Sequence, residues 1–384
     1  MARELRRWQA EALAAWEAGG CRGIVGAVTG GGKTVFALAC IERRKPETAL
    51  IVVPTVALLD QWWEETAAHF GWALDEVNIL SSRGRLRGGT VNIGVLNTVA
   101  KLDVTRSRVG DLMLVVDECH KAASPTFRAV LDVPAAATLG LSATPERPYD
   151  DGLAEVLVPA LGPVIYQYTY AEALRDGVIV PFELRNLVFE LEPERAEEYE
   201  RLTRKIARVV SKLGSDAPEA VALYLRRARG LNLSQNRVVL TLKLIAAHRG
   251  HRTIVFHEDV EACEVIAEVL RANGISSAAY HSKLPMRHRA DMLGLFRAGD
   301  LSVLVTCRAL DEGFNVPEAQ LGIIAASTAT RRQRIQRLGR VLRPSKTKDQ
   351  AVVYTLVATG PEIARLKEEE AELEGVADVS WSRA

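Results

Sequence analysis

Short apolar runs and segments of helical periodicity take turns along the first part of the chain. Residues 23–27, 49–53, 91–95, 112–116 and 137–141 are nearly unbroken apolar stretches, and helical patterns over 33–41, 56–70 and 124–131 fall between them. A strand buried on both faces reads as a continuous apolar run, so this alternation predicts a parallel sheet with crossover helices. The rhythm returns from about residue 236, with strands expected over 253–256, 277–280, 302–305, 321–325 and 350–356 and helices over 238–248, 260–272, 287–297 and 331–338. The pattern therefore predicts two α/β units of similar construction.

Between them the pattern changes. Residues 185–235 are charged and helical; Pro193 suits a first helical turn, and Pro218 divides the stretch into two helices, the second holding Arg226, Arg227 and Arg229. The stretch reads as a solvated linker pair or as a small thumb-like element that grips nucleic acid. Residues 361–374 read as a short acidic helix packed on a lobe. The expected organisation is thus a first lobe over 1–184, a helical insertion over 185–235, a second lobe over 236–360 and a helical tail over 361–384.

Composition agrees with two buried cores, since the chain has 384 residues of which 48% are hydrophobic. Lys and Arg number 49 against 48 Asp and Glu, so any nucleic-acid site must come from local clustering and not from a basic whole. The cysteines, Cys21, Cys40, Cys119, Cys263 and Cys307, are scattered singly and suggest neither a disulfide framework nor a zinc site. No apolar stretch approaches transmembrane length and the charged N-terminus lacks the apolar core of a signal peptide, which makes the cytoplasm the expected location.

Chemistry gathers at the ends of the apolar runs. After 23–27 comes Thr29-Gly30-Gly31-Gly32-Lys33-Thr34. Its glycines permit a tight turn whose N–H groups converge on an anion, Lys33 can reach the β and γ phosphates, and Thr34 can hold Mg²⁺ at the start of a helix. Ala27 stands where the strict phosphate-loop pattern has Gly. The run 112–116 closes on Asp117-Glu118-Cys119-His120: Asp117 would hold Mg²⁺, and Glu118 would polarise the attacking water. His120 on its own reads equally well as a structural histidine, and Cys119 carries no evident chemistry. Far downstream, Gln336-Arg337-Leu338-Gly339-Arg340-Val341-Leu342-Arg343 puts Arg340 and Arg343 three apart, on one side of a turn, where guanidinium groups can neutralise charge on a transferred phosphoryl group.

With these residues the chain resembles a superfamily 2 helicase or translocase of the DExH type, with motifs in order over nearly its whole length. Leu5-Arg6-Arg7-Trp8-Gln9 resembles the segment whose glutamine, here Gln9, recognises adenine. Val53-Pro54-Thr55 and residues 94–98, ending in Thr98, resemble the nucleic-acid-contacting motifs of the first lobe, and Ser142-Ala143-Thr144 the motif thought to couple hydrolysis to strand grip through His120. In the second lobe Ile254-Val255-Phe256-His257, then Thr306 with Glu312-Gly313-Phe314-Asn315-Val316-Pro317, and then 336–343 resemble the remaining motifs. Gly313 is thereby assigned to the nucleotide, Gln336 to the γ-phosphate or its water, and Arg340 and Arg343 are the finger candidates. Thr55, Thr98 and Thr306 are expected to donate to backbone phosphates, as is His281 after its strand, without reading bases. Trp62-Trp63 offers a base-stacking alternative to core packing.

The wording Gln-Arg-Leu-Gly-Arg-Val-Leu-Arg is similar to that of the XPB-like DNA helicases and of the motor subunits of type I and III restriction enzymes, whereas the Cys-His ending of the acidic tetrad fits the DEAD-box RNA helicases poorly. The Arg-Glu-Asp loop of the XPB-like branch has no match in Glu146-Arg147-Pro148-Tyr149-Asp150-Asp151. The resemblance implies two RecA-like lobes with ATP and Mg²⁺ in a cleft between them, a helical insertion, and a DNA helicase or duplex-DNA translocase. It implies DNA as the partner, with a nuclease or repair protein as a second one, and no membrane. An RNA-dependent ATPase and an ATP-gated DNA clamp serving a partner nuclease remain the alternatives.

Overall fold

In the first unit, residues 1–173, the apolar runs are strands: β1 (Arg22–Ala27), β2 (Thr48–Val53), β4 (Val91–Val95), β5 (Leu112–Asp117) and β6 (Ala137–Ser142), joined by the short β3 (Asn78–Ile79) and by β7 (Val164–Tyr168). The computed structural model describes the chain except for residues 1–3, 82–83, 103–109, 144–150, 308–315, 317, 327–336, 340, 346–347, 372 and 374. The seven strands form one sheet in the order β3-β4-β2-β5-β6-β1-β7, every pairing parallel. β2, β5 and β6 are buried along their whole length, which is why they read as continuous apolar runs. Crossover helices Lys33–Arg44 and Val56–Phe70 follow β1 and β2. The helical pattern over 124–131 becomes only a 3₁₀ turn, Arg128–Asp132, preceded by tight turn bonds onto the Ser124 carbonyl.

The second unit, residues 174–384, repeats the plan with β8 (Phe182–Val188), β9 (Thr253–His257), β10 (Ser277–His281), β11 (Val303–Cys307), β12 (Leu321–Ile324), β13 (Ala351–Val357) and β14 (Asp378–Arg383), ordered β10-β11-β9-β12-β13-β8-β14 and again parallel throughout. The compact first unit ends at Ala173 and the second begins at Leu174. β8 pairs with β13 and β14, so residues 182–188 belong to the second sheet. The tail is also more than a helix, since Gly360–Ala371 is followed by β14.

The 185–235 stretch holds two helices, Pro193–Leu213 and Pro218–Asn232, each with proline in its first turn. Arg227 donates to Thr203 Oγ1 at 3.0 Å and lies over the rings of Tyr199 and Tyr224, while Arg226 pairs with Glu198 at 3.1 Å. Two of the three arginines noted in the sequence thus fasten one helix to the other. No helix among the described residues is long and apolar enough to cross a membrane.

Candidate active site

All strands of the first sheet are parallel, so their carboxyl ends open on one edge, where open α/β sheets take their ligands. Read across that edge, the strand ends deliver Ser142 (β6) between the phosphate loop (β1) and Asp117 (β5), and beyond them Thr55 after β2 and Thr98 after β4. At about 4.8 Å per strand, the phosphate loop and the acid pair lie roughly 10 Å apart along the edge, and Thr98 roughly 19 Å from the loop.

The phosphate loop is braced from outside. The Arg6 guanidinium and the Trp8 indole both donate to the Gly31 carbonyl, at 3.0 and 3.1 Å, and Gln9 Nε2 donates to the Gly32 carbonyl at 2.9 Å. Each carbonyl shares a trans peptide plane with the next N–H and points opposite to it, so pinning these two oxygens aims the amides of Gly32 and Lys33 away from the brace. Gly30 and Gly32 sit at φ +86° and +96°, where L side chains are strained, and a Cβ on Gly32 would meet Gln9 Nε2 at 2.8 Å. Trp8 is itself stacked on Tyr168, ring centroids 4.9 Å apart. Gln9 is 2% exposed and its Oε1 accepts the Arg6 N–H, so both ends of its amide hold protein partners. Lys33 Nζ rests on the Ala27 carbonyl at 2.9 Å, and Thr29 Oγ1 is buried without a hydrogen-bond partner. Thr34 is half-buried in the first turn of Lys33–Arg44.

Asp117 is buried at the end of β5. Its Oδ2 accepts the Trp62 indole N–H and its Oδ1 the Glu118 backbone N–H, both at 2.9 Å. Burial, and then the neighbouring Glu118 carboxylate, push its pKa up to about 6, against the pull of Lys33 and of these two donors. Glu118 occupies the left-handed region, φ +49° and ψ +48°, and turns the chain from β5 into the 3₁₀ turn Cys119–Lys121. A left-handed glutamate is uncommon, and such strain concentrates at functional sites. His120 is 3% exposed; its Nδ1 stands 3.0 Å from Ser142 Oγ and 3.5 Å from Glu118 Oε2. Glu118, His120 and Ser142 thus form a chain of contacts from β5 to β6. Cys119 is fully buried and packs toward β6, where a Cβ on Gly140 would stand 3.2 Å from its Sγ.

The family model described as type III restriction enzyme, res subunit, matches residues 2–147, and the helicase conserved C-terminal domain matches 229–345. The chain is 30% identical to the DNA 3'-5' translocase XPB2 of Sulfurisphaera tokodaii, over 94% of this chain and 83% of that protein. It belongs to the XPB family of superfamily 2 helicases and translocases. A second XPB-family protein, the DNA 3'-5' helicase XPB of Kineococcus radiotolerans, is 29% identical over 92% of this chain, which spans 60% of that longer protein. Among solved structures, S. cerevisiae Dbp5 bound to RNA and ADP BeF3 superposes with a TM-score of 0.64 at 15% identity, covering 98% of this chain and 89% of Dbp5, which shows the two-lobe RecA-like fold.

The remaining predicted residues of this XPB-family chain fall into three groups. On the same sheet edge of the first unit, Thr55 caps Val56–Phe70 by accepting the Leu58 N–H at 3.4 Å, and Thr98 is half-buried in the short helix Leu96–Val99. In the second unit His281 is 4% exposed with Nε2 2.7 Å from Glu264 Oε1, which ties it to Val260–Ala272, while Thr306 is buried in β11 with its hydroxyl unpartnered. Arg343 is half-buried. Thr144, Gly313, Gln336, Arg340 and the segment 146–150 lie outside the described residues.

Arg6 and Trp8, noted in the sequence only as neighbours of Gln9, brace the loop, and Trp62, noted for stacking or core packing, holds Asp117. A signal for Trp62 was present, since Leu59, Trp62 and Thr66 share one helical face and all are buried. A buried indole N–H usually finds an acceptor. Trp63 points elsewhere and donates to the Leu74 carbonyl at 2.8 Å.

Proposed function

We propose that this chain couples ATP hydrolysis to movement along DNA, as a translocase or helicase, with the phosphate loop and acid pair of its first unit as the hydrolytic site. The observation that carries the reading is the delivery of a braced, anion-ready loop and a buried acid pair to one sheet edge, with Lys33 close enough to lower the Asp117 pKa. The residues fit a magnesium nucleotide. Amides aimed outward, an ammonium and the orphaned Thr29 hydroxyl suit phosphate oxygens, and Asp117 with Thr34 offers the hard oxygen ligands Mg²⁺ prefers. Bound there, Mg²⁺ would supply positive charge against the phosphate oxygens.

The chain's own groups then divide the work. Lys33 and the loop amides hold the phosphates in line, and Glu118 orients the attacking water and takes its proton at a carboxylate oxygen. Glu118 suits this task because its left-handed backbone turns the side chain out of the β5 ladder and toward His120. Arg340 and Arg343, with Gln336, are in this proposal the second unit's candidates for charge stabilisation. His120 and Ser142 register the state of Glu118 and pass it along the edge toward Thr55 and Thr98, which grip backbone phosphate; His281 and Thr306 are the second unit's candidates for the same task.

Hydrolysis measured side by side with single-stranded, duplex and forked DNA and with RNA tests the reading. DNA-stimulated turnover is expected, abolished by Lys33→Ala and by Glu118→Gln; unaltered turnover in either variant sinks the assignment, and stimulation by RNA alone replaces the substrate. Arg343→Ala should retain nucleotide binding while losing hydrolysis. Displacement of a bound triplex strand separates a translocase from an ATP-gated clamp.

A further inference from the structure

Trp62 is 1% exposed, and its only polar atom is used on a residue of the acid pair, Nε1 to Asp117 Oδ2 at 2.9 Å. With Oδ1 held by the Glu118 N–H at the same distance, the Asp117 carboxylate is gripped at both oxygens and fixed in one orientation. An indole N–H donates only and does not titrate, so this contact favours the ionised carboxylate at every pH and cannot reverse as a hydroxyl or imidazole can. Groups that hold a metal-binding carboxylate in this way govern metal affinity without touching the metal.

The helix that carries Trp62 matters as much as the contact. Val56–Phe70 begins at its cap Thr55, directly after β2, on the same sheet edge as the proposed phosphate grip. Trp62 lies about 10 Å further along, at 1.5 Å of rise per residue. Leu59 and Thr66, one turn to either side of Trp62, are buried with it, so this stretch of the helix is seated against the sheet. Thr55 and the indole thus belong to one helix seated on the sheet, and a hydrogen bond of this length weakens steeply with misalignment.

We propose that Trp62 is a positioning residue for Asp117, and that the Val56–Phe70 helix uses it to report nucleic-acid contact at Thr55 to the metal carboxylate. The proposal rests on the hydrolytic reading above, and the path it names is separate from the His120–Ser142 contact. DNA binding would sharpen Asp117 for Mg²⁺, and by linkage Mg²⁺ nucleotide would strengthen the grip at Thr55.

Two variants and one spectrum test it. Trp62→Phe keeps an aromatic ring but removes the donor; kcat should fall about 10- to 100-fold and the Mg²⁺ concentration for half-maximal turnover should rise about tenfold, with nucleotide binding in EDTA unchanged. Trp62→His, which restores a ring N–H, should recover part of both effects. Independently of turnover, the buried indoles of Trp8, Trp16 and Trp62 should all exchange slowly in ¹⁵N spectra, and the one of these signals that is absent from Trp62→Phe should shift with Mg²⁺-ADP and also with duplex DNA in nucleotide-free protein. An unchanged Mg²⁺ requirement in Trp62→Phe, or a Trp62 signal that ignores both ligands, overturns the proposal. Should neither variant fold, the wild-type spectrum decides once the Trp62 indole is assigned by through-bond connectivities and told apart from Trp8 on the phosphate loop: its shifting with both ligands supports the proposal, and its failing to do so refutes it. Wild-type protein without DNA-stimulated turnover would instead refute the hydrolytic reading, while the indole response to Mg²⁺-ADP still reports on Trp62.

Discussion

Glu118 pays in backbone strain for its place beside Asp117. A left-handed conformation costs an L residue roughly 1–2 kcal/mol, more than the roughly 0.5–1 kcal/mol of chain entropy that glycine gives up. Glu118→Gly is therefore expected to lose turnover without losing stability, gaining up to about 1 kcal/mol in urea unfolding. Gly32 shows the opposite case. Its φ of +96° and the 2.8 Å approach of a Cβ to Gln9 mean that Gly32→Ala should cost about 1–3 kcal/mol and abolish nucleotide binding, read by calorimetry. The residue types of this candidate site stand out in the sequence because phosphate and Mg²⁺ chemistry would demand glycine, lysine and paired acids. The bracing of the loop by Arg6, Trp8 and Gln9 was not, because a residue's partner for a buried polar group is a matter of packing and not of spacing.

At the scale of elements, the strands were legible wherever burial on both faces makes an apolar run, as in β2, β5 and β6. β8 and β14 were missed because they lie toward one side of the second sheet, where β8 alternates buried with half-buried positions and β14 has no fully buried position, a weaker signal than an unbroken run. Their pairing places β8 in the second sheet, since which sheet a strand joins is settled by a partner far away in sequence. β14 lies on β8 from Asp378 to Arg383, and Trp381 donates to Glu370 at 2.9 Å. Removing residues 378–384 should expose the β8 edge, lower the stability of the second unit by about 2 kcal/mol, and shift its melting by roughly 6 °C. Hydrogen exchange should show the loss concentrated in β8 amides.

For the molecule as a whole, acid should separate the two units. Burial, and then the nearby Arg237, depress the His257 pKa to about 4 from 6.5. The folded state thus binds this proton less readily than the unfolded one. Its contribution to the second unit is fully present above pH 6.5 and lost as pH falls toward 4, about 3 kcal/mol in all. Asp117 in the first unit acts with the opposite sign: raised to about 6 from 3.8, it contributes most below pH 3.8 and nothing above about 6. Unfolding followed at pH 7 and pH 4.5 by probes in each unit should show the second unit losing more, and replacing His257 with Asn should flatten that slope. Near-balanced charge, 49 basic against 48 acidic side chains, leaves no general electrostatic grip on nucleic acid, so DNA affinity is expected to come from the strand ends. Periodicity and motif chemistry were enough to specify two parallel α/β units, a phosphate loop and an acid pair, because sheet burial and anion binding constrain residue type locally. Which amide braces the loop, which indole holds Asp117, that Glu118 turns left-handed and that β8 belongs to the second sheet were decided by folding, because each depends on groups distant in sequence that meet only when the core closes.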